Sequence, residues 1–535
     1  MLVRRGHRFV VGTAAVISCA GMTYVFSACV GDDPAVSGGS DPDGASTNDG
    51  ADPDGGSHTN DAGLATLTLA PLRPRLVRDA SVEVDVSLAR GGLTGDVAVA
   101  VGGLPTGVTV LGGTIPAAAS TAKLTFAAAG NAKLGIAPIT LVALGASDLP
   151  TSLVVAGTPG QTDESFDGDG FAIDTSSATG VYNAVLVQPD GKVVTAGATN
   201  TTGTWIVKRY VDGAPDTAFN TNAAAFMPTT GDARGLALDA TTGRIVVVGE
   251  SGTTLRLTIV RLNADGSIDQ GFANAGTMLA SSVDHPSGSR GSGAFVLSDS
   301  SIVVAGRKGT LGMVERYTAA GVRDSGFVHF TSATDAELFA VAPLAGGSIL
   351  ATGTDIAASP DAQLAVRLLS NGTPDATFAG GTRTYASGCR GYAMALASNG
   401  DAILVGDDQT APSLCQTRIA ASGNGNLLHS ESTNAGSNGQ FLAAAPAFFP
   451  EGVYAAGHAG GSLDRYAVVE RRFGDGGLDP TFGTTGTLRF EDTSGTPDTF
   501  RWIIRAATTT PDGQLVVAGS RTGNLPGGFV ARIWQ

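Results

Sequence analysis

Gln188-Pro189-Asp190-Gly191-Lys192-Val193-Val194-Thr195-Ala196-Gly197, then Trp205-Ile206-Val207-Lys208-Arg209-Tyr210, then Asp212-Gly213-Ala214-Pro215-Asp216-Thr217-Ala218-Phe219, is the clearest copy of a unit written seven times between Asp163 and Gln535. Each apolar run closes on a glycine, at Gly197, Gly249, Gly306, Gly353, Gly406, Gly457 and Gly519. An arginine follows ten to fifteen residues later, at Arg209, Arg261, Arg316, Arg367, Arg418, Arg472 and Arg532. A period of about fifty residues signals a solenoid, an array or a propeller.

The grammar of the unit separates these. Ile245-Val246-Val247-Val248, Ile302-Val303-Val304-Ala305 and Leu515-Val516-Val517-Ala518 are short β-branched runs bounded by turn residues, which reads as strand. Asp190-Gly191 and Asp512-Gly513 mark tight hairpins, because both residue types accept positive φ. About four strands per unit at this period predict an all-β, seven-bladed β-propeller, with six or eight blades as the alternative count. Most units finish with Asp-x-x-Phe, at Asp216/Phe219, Asp269/Phe272, Asp324/Phe327, Asp375/Phe378 and Asp479/Phe482, and the fifth has lost it. The seventh stops at Arg532-Ile533-Trp534-Gln535, while Asp163-Glu164-Ser165-Phe166 stands ahead of the first unit. Pairing of those two pieces would clasp the ring and leave no open sheet edge there.

Gln188-Pro189-Asp190-Gly191-Lys192, with Arg261-Leu262-Asn263-Ala264-Asp265-Gly266-Ser267-Ile268-Asp269, resembles the bacterial delta-60 repeat family. The likeness covers roughly the last 370 residues and is sharpest in repeats one, two and seven. It implies an envelope or secreted protein of repeat architecture and brings no catalytic residues with it.

The front of the chain bears on location. Arg4, Arg5 and Arg8 precede a mostly apolar stretch from Phe9 to Ala28, which reads as a secretory signal over residues 1–28. Cys29, after Phe26-Ser27-Ala28, resembles the acylated first residue of a bacterial lipoprotein, and the competing readings are an uncleaved anchor or ordinary signal cleavage. Residues 29–63 are almost entirely Asp, Gly, Ser, Pro, Asn and Thr, too polar to build a core, and read as a flexible tether. The acidic clusters Asp41-Pro42-Asp43-Gly44 and Asp52-Pro53-Asp54-Gly55 lack the ligand spacing of a calcium loop. Residues 64–158 alternate as in Ser81-Val82-Glu83-Val84-Asp85-Val86-Ser87-Leu88, and about seven short strands predict an immunoglobulin-like sandwich that spaces its neighbour, residues 160–535, from a membrane.

Composition fits this layout and excludes several functions. With 76 glycines and 15% charged residues, the chain suits turn-rich β structure. A net charge of −15 argues against a nucleic-acid partner, since phosphate binding needs a basic face. Of four cysteines, Cys389 and Cys415 fall together in repeat five and are expected to form a disulfide in an exported protein. The histidines, among them His285, His429 and His458, show no spacing that sets two ligands on one metal, and no cofactor motif is present.

Four arginines, Arg234, Arg290, Arg390 and Arg505, stand fourteen to sixteen residues before their glycines, near the start of each unit's first strand. In a propeller that strand lines the central channel, so the four are candidate ligand-binding residues for a carboxylate or phosphate, unless Asp232 and Asp284 neutralise them. Two function classes follow. The first is a non-enzymatic, lipid-anchored protein of the outer membrane or cell surface, binding a protein or glycan through loops 198–204, 354–363 and 521–528. The second is a hydrolase or lyase for an acidic glycan, with Asp232 as general base and Arg234 as anion clamp.

Overall fold

The computed structural model describes residues 65–176, 179–199, 202–220, 224–385, 388–397, 399–409, 413–434, 439–448, 451–460, 466–490, 501–522 and 527–535. The signal segment, Cys29 and the tether lie outside the described residues. Those described form two compact units, 65–155 and 156–535. Among them no helix is long and apolar enough to cross a membrane.

The smaller unit is two five-stranded sheets around one core. Ala65–Ala70, Ser81–Ala89, Val108–Gly112, Thr121–Ala128 and Ala146–Ser147 make one sheet; Arg75–Val77, Val97–Gly102, Thr114–Ile115, Gly135–Ala143 and Leu149–Ala156 make the other. Alternation along Ser81–Ala89 sends Val84, Val86 and Leu88 inward, where they join Leu67 and Phe126 of their own sheet and Leu141 and Val99 of the opposite one. Ten strands are present where about seven were expected, because three pieces are only two or three residues long. Hydrophobic periodicity carries no signal over so short a stretch.

The larger unit is a succession of antiparallel four-stranded sheets. Thr179–Val187, Val193–Thr199 and Thr204–Val211 pair with the first part of the long strand Ala224–Leu238. From Gly231 onward that strand becomes the innermost strand of the second sheet, beside Ile245–Ser251, Arg256–Leu262 and Thr277–Leu279. Ser289–Val296, Ile302–Lys308, Leu311–Tyr317 and the start of Phe330–Pro343 make the third; the rest of Phe330–Pro343, with Ile349–Asp355, Ala362–Leu368 and Thr382–Tyr385, makes the fourth. Cys389–Leu396, Ala402–Asp408, Ser413–Ile419 and Leu427–Asn434 form the fifth; Gln440–Phe448, Glu451–Ala459, Tyr466–Phe473 and Thr487–Phe490 form the sixth. The last sheet joins Arg501–Thr509, Leu515–Thr522 and Gly527–Ile533 to Phe171–Asp174 from the front of the unit.

This packing explains why the run ahead of the glycine in each second strand carries no charge and does not alternate. Ile245 and Val247 enter the core shared with the first sheet, whereas Val246 and Val248 enter the core shared with the third. Ile403 and Val405 likewise face the sixth sheet while Ala402 and Leu404 face the fourth. A strand covered on both faces has no polar side. The series of cores returns to its start, where Val516, Ala518 and Val530 of the last sheet pack against Tyr182, Val185 and Val193 of the first.

The recurrent arginine joins neighbouring sheets. Arg209 donates to Asp216 at 2.7 Å, lies 4.7 Å over the Phe219 ring, and donates onward to the Ala264 carbonyl of the next repeat at 2.6 Å. Arg261, Arg316 and Arg367 repeat this with Asp269, Asp324 and Asp375 and with the carbonyls of Ala319, Ser370 and Ala421. In the fifth repeat, which lacks Asp-x-x-Phe, Arg418 turns to Asp401 in its own first hairpin, at 2.5 and 2.9 Å. The sixth corrects the sequence alignment: Arg471, not Arg472, occupies the repeated position and pairs with Asp479, while Arg472 binds Glu470 at 2.6 Å. Gly457 stands opposite Val468, and the arginine three residues beyond that partner is Arg471, as Arg261 is three beyond Thr258 opposite Gly249.

The seventh arginine finds its partners at the other end of the unit. Arg532 donates to Asp163 at 2.7 Å and to Ser165 at 2.9 Å, and lies 4.9 Å over Phe166. Asp163 also accepts from Gln514 at 2.6 Å and is wholly buried.

Candidate functional site

One irregularity recurs in the innermost strand of every sheet and decides what reaches the axis. The pairing slips by one residue between Tyr182/Ala184, Ala233/Gly235, Gly291/Gly293, Leu338/Ala340, Gly391/Ala393, Phe441/Ala443 and Ile504/Ala506. A β-bulge of this kind leaves one residue unpaired and re-aims its side chain. The recurrent glycine sits opposite: a Cβ on Gly197, Gly249, Gly306, Gly353, Gly406, Gly457 or Gly519 would lie 1.7–2.0 Å from the carbonyl oxygen two residues before the bulged position. Only glycine admits that approach.

The bulged residues themselves are of six types, with arginine occurring twice: Asn183, Arg234, Ser292, Phe339, Tyr392, Leu442 and Arg505. Phe339, Tyr392 and Leu442 cluster with Ile503 as an apolar arc, the first two rings 5.6 Å apart. Asn183 donates across to the Ala233 carbonyl at 3.0 Å on the polar side.

Arg234 and Arg505 therefore occupy the bulge, whereas Arg290 and Arg390 stand two residues earlier in their strands. At this end of the axis the guanidiniums meet protein carboxylates. Arg234 lies 3.0 Å from Glu250 and 3.4 Å from Asp232. Arg290 donates to Glu337 at 2.6 Å, and Arg307 reaches Asp335 at 2.7 Å and Glu337 at 3.8 Å. Arg390 binds Asp407 through two nitrogens at 2.6 and 3.0 Å, and Gln440 donates to the same carboxylate at 3.0 Å. Burial works against the charge on Arg290, but Glu337, Glu250 and Asp232 outweigh it and raise its pKa. Burial, then the Asp407 charge, holds the Tyr392 phenol well above its usual range.

The anion clamp expected from the sequence is thus engaged by Asp232, Glu250, Glu337, Asp335 and Asp407, a bound carboxylate already supplied by the protein. Asp232, the candidate general base, faces Arg234, and Asp284 lies instead within electrostatic reach of Tyr317. Arg505 is half-buried and has partners of its own. The sequence window mixed two rows of the strand: the true bulged residue stands fourteen or fifteen positions before its glycine, and that spacing would have identified it.

Cys389 and Cys415 form a disulfide, with Cα atoms 6.1 Å apart, at the same end of the fifth sheet. Buried Glu315 is a second charged centre: Tyr317 donates to it at 2.6 Å, Arg323 at 3.1 Å, and His285 lies 3.4 Å away. Among the described residues no group of three or more His, Cys, Asp or Glu could hold a metal ion.

A concave site of about 650 Å³ lies elsewhere, between the sixth and last sheets. Phe171, Ile173, Leu488, Phe490 and Trp502 form its apolar lining, and Arg489, Arg521, Glu164 and Asp169 supply its charged lining. Sequence reasoning missed it because its walls come from stretches more than 300 residues apart.

Two segments, residues 241–272 and 347–378, match a β-propeller domain family of unknown function, DUF5122. Each begins at or near a second strand and ends on Asp-x-x-Phe. No curated protein matches the chain. Among solved structures, the calcium-binding protein regucalcin from Agrobacterium tumefaciens is 14% identical with a TM-score of 0.35, covering 56% of this chain and 89% of that one. Sqt1 from Chaetomium thermophilum is also 14% identical with a TM-score of 0.35, covering 68% and 97%. Prolyl oligopeptidase B from Galerina marginata is 12% identical with a TM-score of 0.38, covering 72% of this chain and 53% of that one. At such scores these likenesses carry nothing about ligand or activity. The β-propeller architecture of the larger unit rests on its own sheets and on the family match.

Proposed function

We propose that this chain is a non-enzymatic cell-envelope lipoprotein, anchored through Cys29, that displays a seven-bladed propeller on an Ig-like spacer and a flexible tether and binds a protein or glycan partner. The observation that carries this reading is the contrast at the bulges: seven structurally equivalent positions hold six residue types, with arginine alone occurring twice, and divide into an apolar arc and a polar remainder. A purely architectural position would repeat its residue, as the glycine opposite does. Connections between second and third strands differ in the same way, with two residues between Lys308 and Leu311 and six between Asp355 and Ala362. Loops of unequal length on a regular scaffold are where recognition usually resides.

The test is a screen of the chain against envelope proteins and glycans, wild type beside a variant whose 356–361 connection is cut to the two-residue length found between Lys308 and Leu311. Saturable binding without turnover, weakened in the variant, supports the reading. Cleavage of an acidic glycan that is abolished by Asp232→Asn would replace it with a hydrolase or lyase.

A further inference from the structure

We propose that the groove between the sixth and last sheets takes an extended peptide of about four residues, apolar in the middle and oppositely charged at its two ends. This rests on the binding reading above and gives it a second site and a ligand class. Phe171 and Ile173 are alternate residues of one strand, and Leu488 and Phe490 are alternate residues of another. Side chains at i and i+2 share a face, so the two walls run along the strand direction.

Length follows from register. Phe171 pairs with Ala531, whereas Arg521 pairs with Gly527, four residues along the same strand. At about 3.3 Å per residue the separation is about 13 Å, the span of four extended residues. Asp169 marks the acidic end, where it accepts the Phe171 N–H at 2.8 Å, and the exposed Glu164 also lines the groove. Arg521 marks the cationic end, with Arg489 on the facing strand.

The same features disfavour a glycan here. Stacking a sugar needs an open ring face, but Trp502 is only 7% exposed, with Arg521 4.8 Å over it and the Phe171 and Phe529 rings 5.7 and 4.9 Å away. A uniformly acidic glycan long enough to fill the groove would set negative charge against Glu164 and Asp169. A segment cationic at one end and anionic at the other meets complementary charge at both, and buries apolar side chains between.

The probe is the tetrapeptide Lys-Leu-Phe-Glu with free termini, titrated calorimetrically into the full chain at low salt. Its comparators are the capped, uncharged Gln-Leu-Phe-Gln and an acidic trisaccharide of galacturonate. Glu164→Lys/Arg489→Glu reverses two exposed groups, and an unchanged melting temperature establishes that the variant is folded. One-site binding of the charged peptide is expected, with about tenfold weaker binding of the uncharged peptide and a similar loss in the variant, within the range of two rim charge contacts. Equal binding of both peptides, no effect of the charge reversal, or no saturable heat with the peptide would overturn the proposal. Tighter binding of the trisaccharide would also overturn it while leaving a binding function intact. Hydrolysis of the peptide, read by mass spectrometry, would instead overturn the non-enzymatic reading.

Discussion

Asp163→Ala removes one side chain at the front of the larger unit, yet its consequence falls 369 residues away, at Arg532. Asp163 is 0% exposed and accepts hydrogen bonds from Arg532, Gln514 and Ser165, the last through its N–H at 3.0 Å and its hydroxyl at 2.7 Å. Deleting one partner of a buried ion pair leaves the other charge uncompensated and costs about 3–5 kcal/mol. The equivalent pair in the third repeat, Arg316 with Asp324, is 20% exposed on both side chains, so Asp324→Ala should cost about 1 kcal/mol. For a unit of about 380 residues, an unfolding entropy of roughly 2.1 cal/mol/K per residue gives about 0.8 kcal/mol/K. The expected drop in Tm is therefore about 5 °C for Asp163→Ala and about 1 °C for Asp324→Ala, read by calorimetry if unfolding is two-state. Proteolysis should also find the strand Phe171–Asp174 first in Asp163→Ala, because that strand is held to the last sheet beside the clasp. Equal melting shifts in the two variants would refute the argument that the joint between chain ends matters more than a joint within the repeats.

Gly306→Ala should destabilise by about 3 kcal/mol or prevent folding, since its Cβ would lie 1.9 Å from the Arg290 carbonyl oxygen and the bulge cannot move aside; denaturant titration against Gly474→Ala, whose Cβ meets nothing nearer than a guanidinium nitrogen at 3.4 Å and whose φ lies outside the left-handed region, is the check. Burial alone would raise the Glu315 pKa, but the His285 ring 3.4 Å away, the hydrogen bond from Tyr317 and the nearby charge of Arg323 hold it at about 2. Because the folded value is depressed, the stabilisation is present above the ordinary value of 4.5 and is lost as pH falls toward 2, amounting to about 3 kcal/mol; Glu315→Gln should flatten stability across that interval in an acid titration. Reduction of Cys389–Cys415, which are separated by 26 residues, should lower stability by about 3.5 kcal/mol on the loop-entropy estimate, and a Cys389→Ser/Cys415→Ser chain should melt alike with or without reductant.

Much of the scaffold is legible in the sequence. The β-branched runs, the Asp-Gly turns and the Arg with Asp-x-x-Phe all arise from local chemistry that each repeat must satisfy alone, so they recur in the letters. Even the partnership of Asp163 with Arg532 could be read, because the last copy lacks what the front supplies. The departures were not legible. Arg418 takes Asp401 in place of the missing carboxylate, and Arg471 displaces Arg472 by one position, because register is settled by pairing with the neighbouring strand and not by spacing along the chain.

The candidate sites divide in the same way. Composition and repeat length by themselves determined a β-rich chain of repeated units with a glycine in each, since backbone geometry at a bulge imposes the same demand every time. Only the tertiary structure decided which side chains the bulges aim inward, that the arginines at that end are matched by carboxylates, and that Phe171, Leu488 and Trp502 share one groove. The groove and the Arg290–Glu337 pair depend on distances between different sheets, while the bulges and the Arg234–Glu250 and Arg390–Asp407 pairs depend on register between adjacent strands, and spacing along the chain fixes neither.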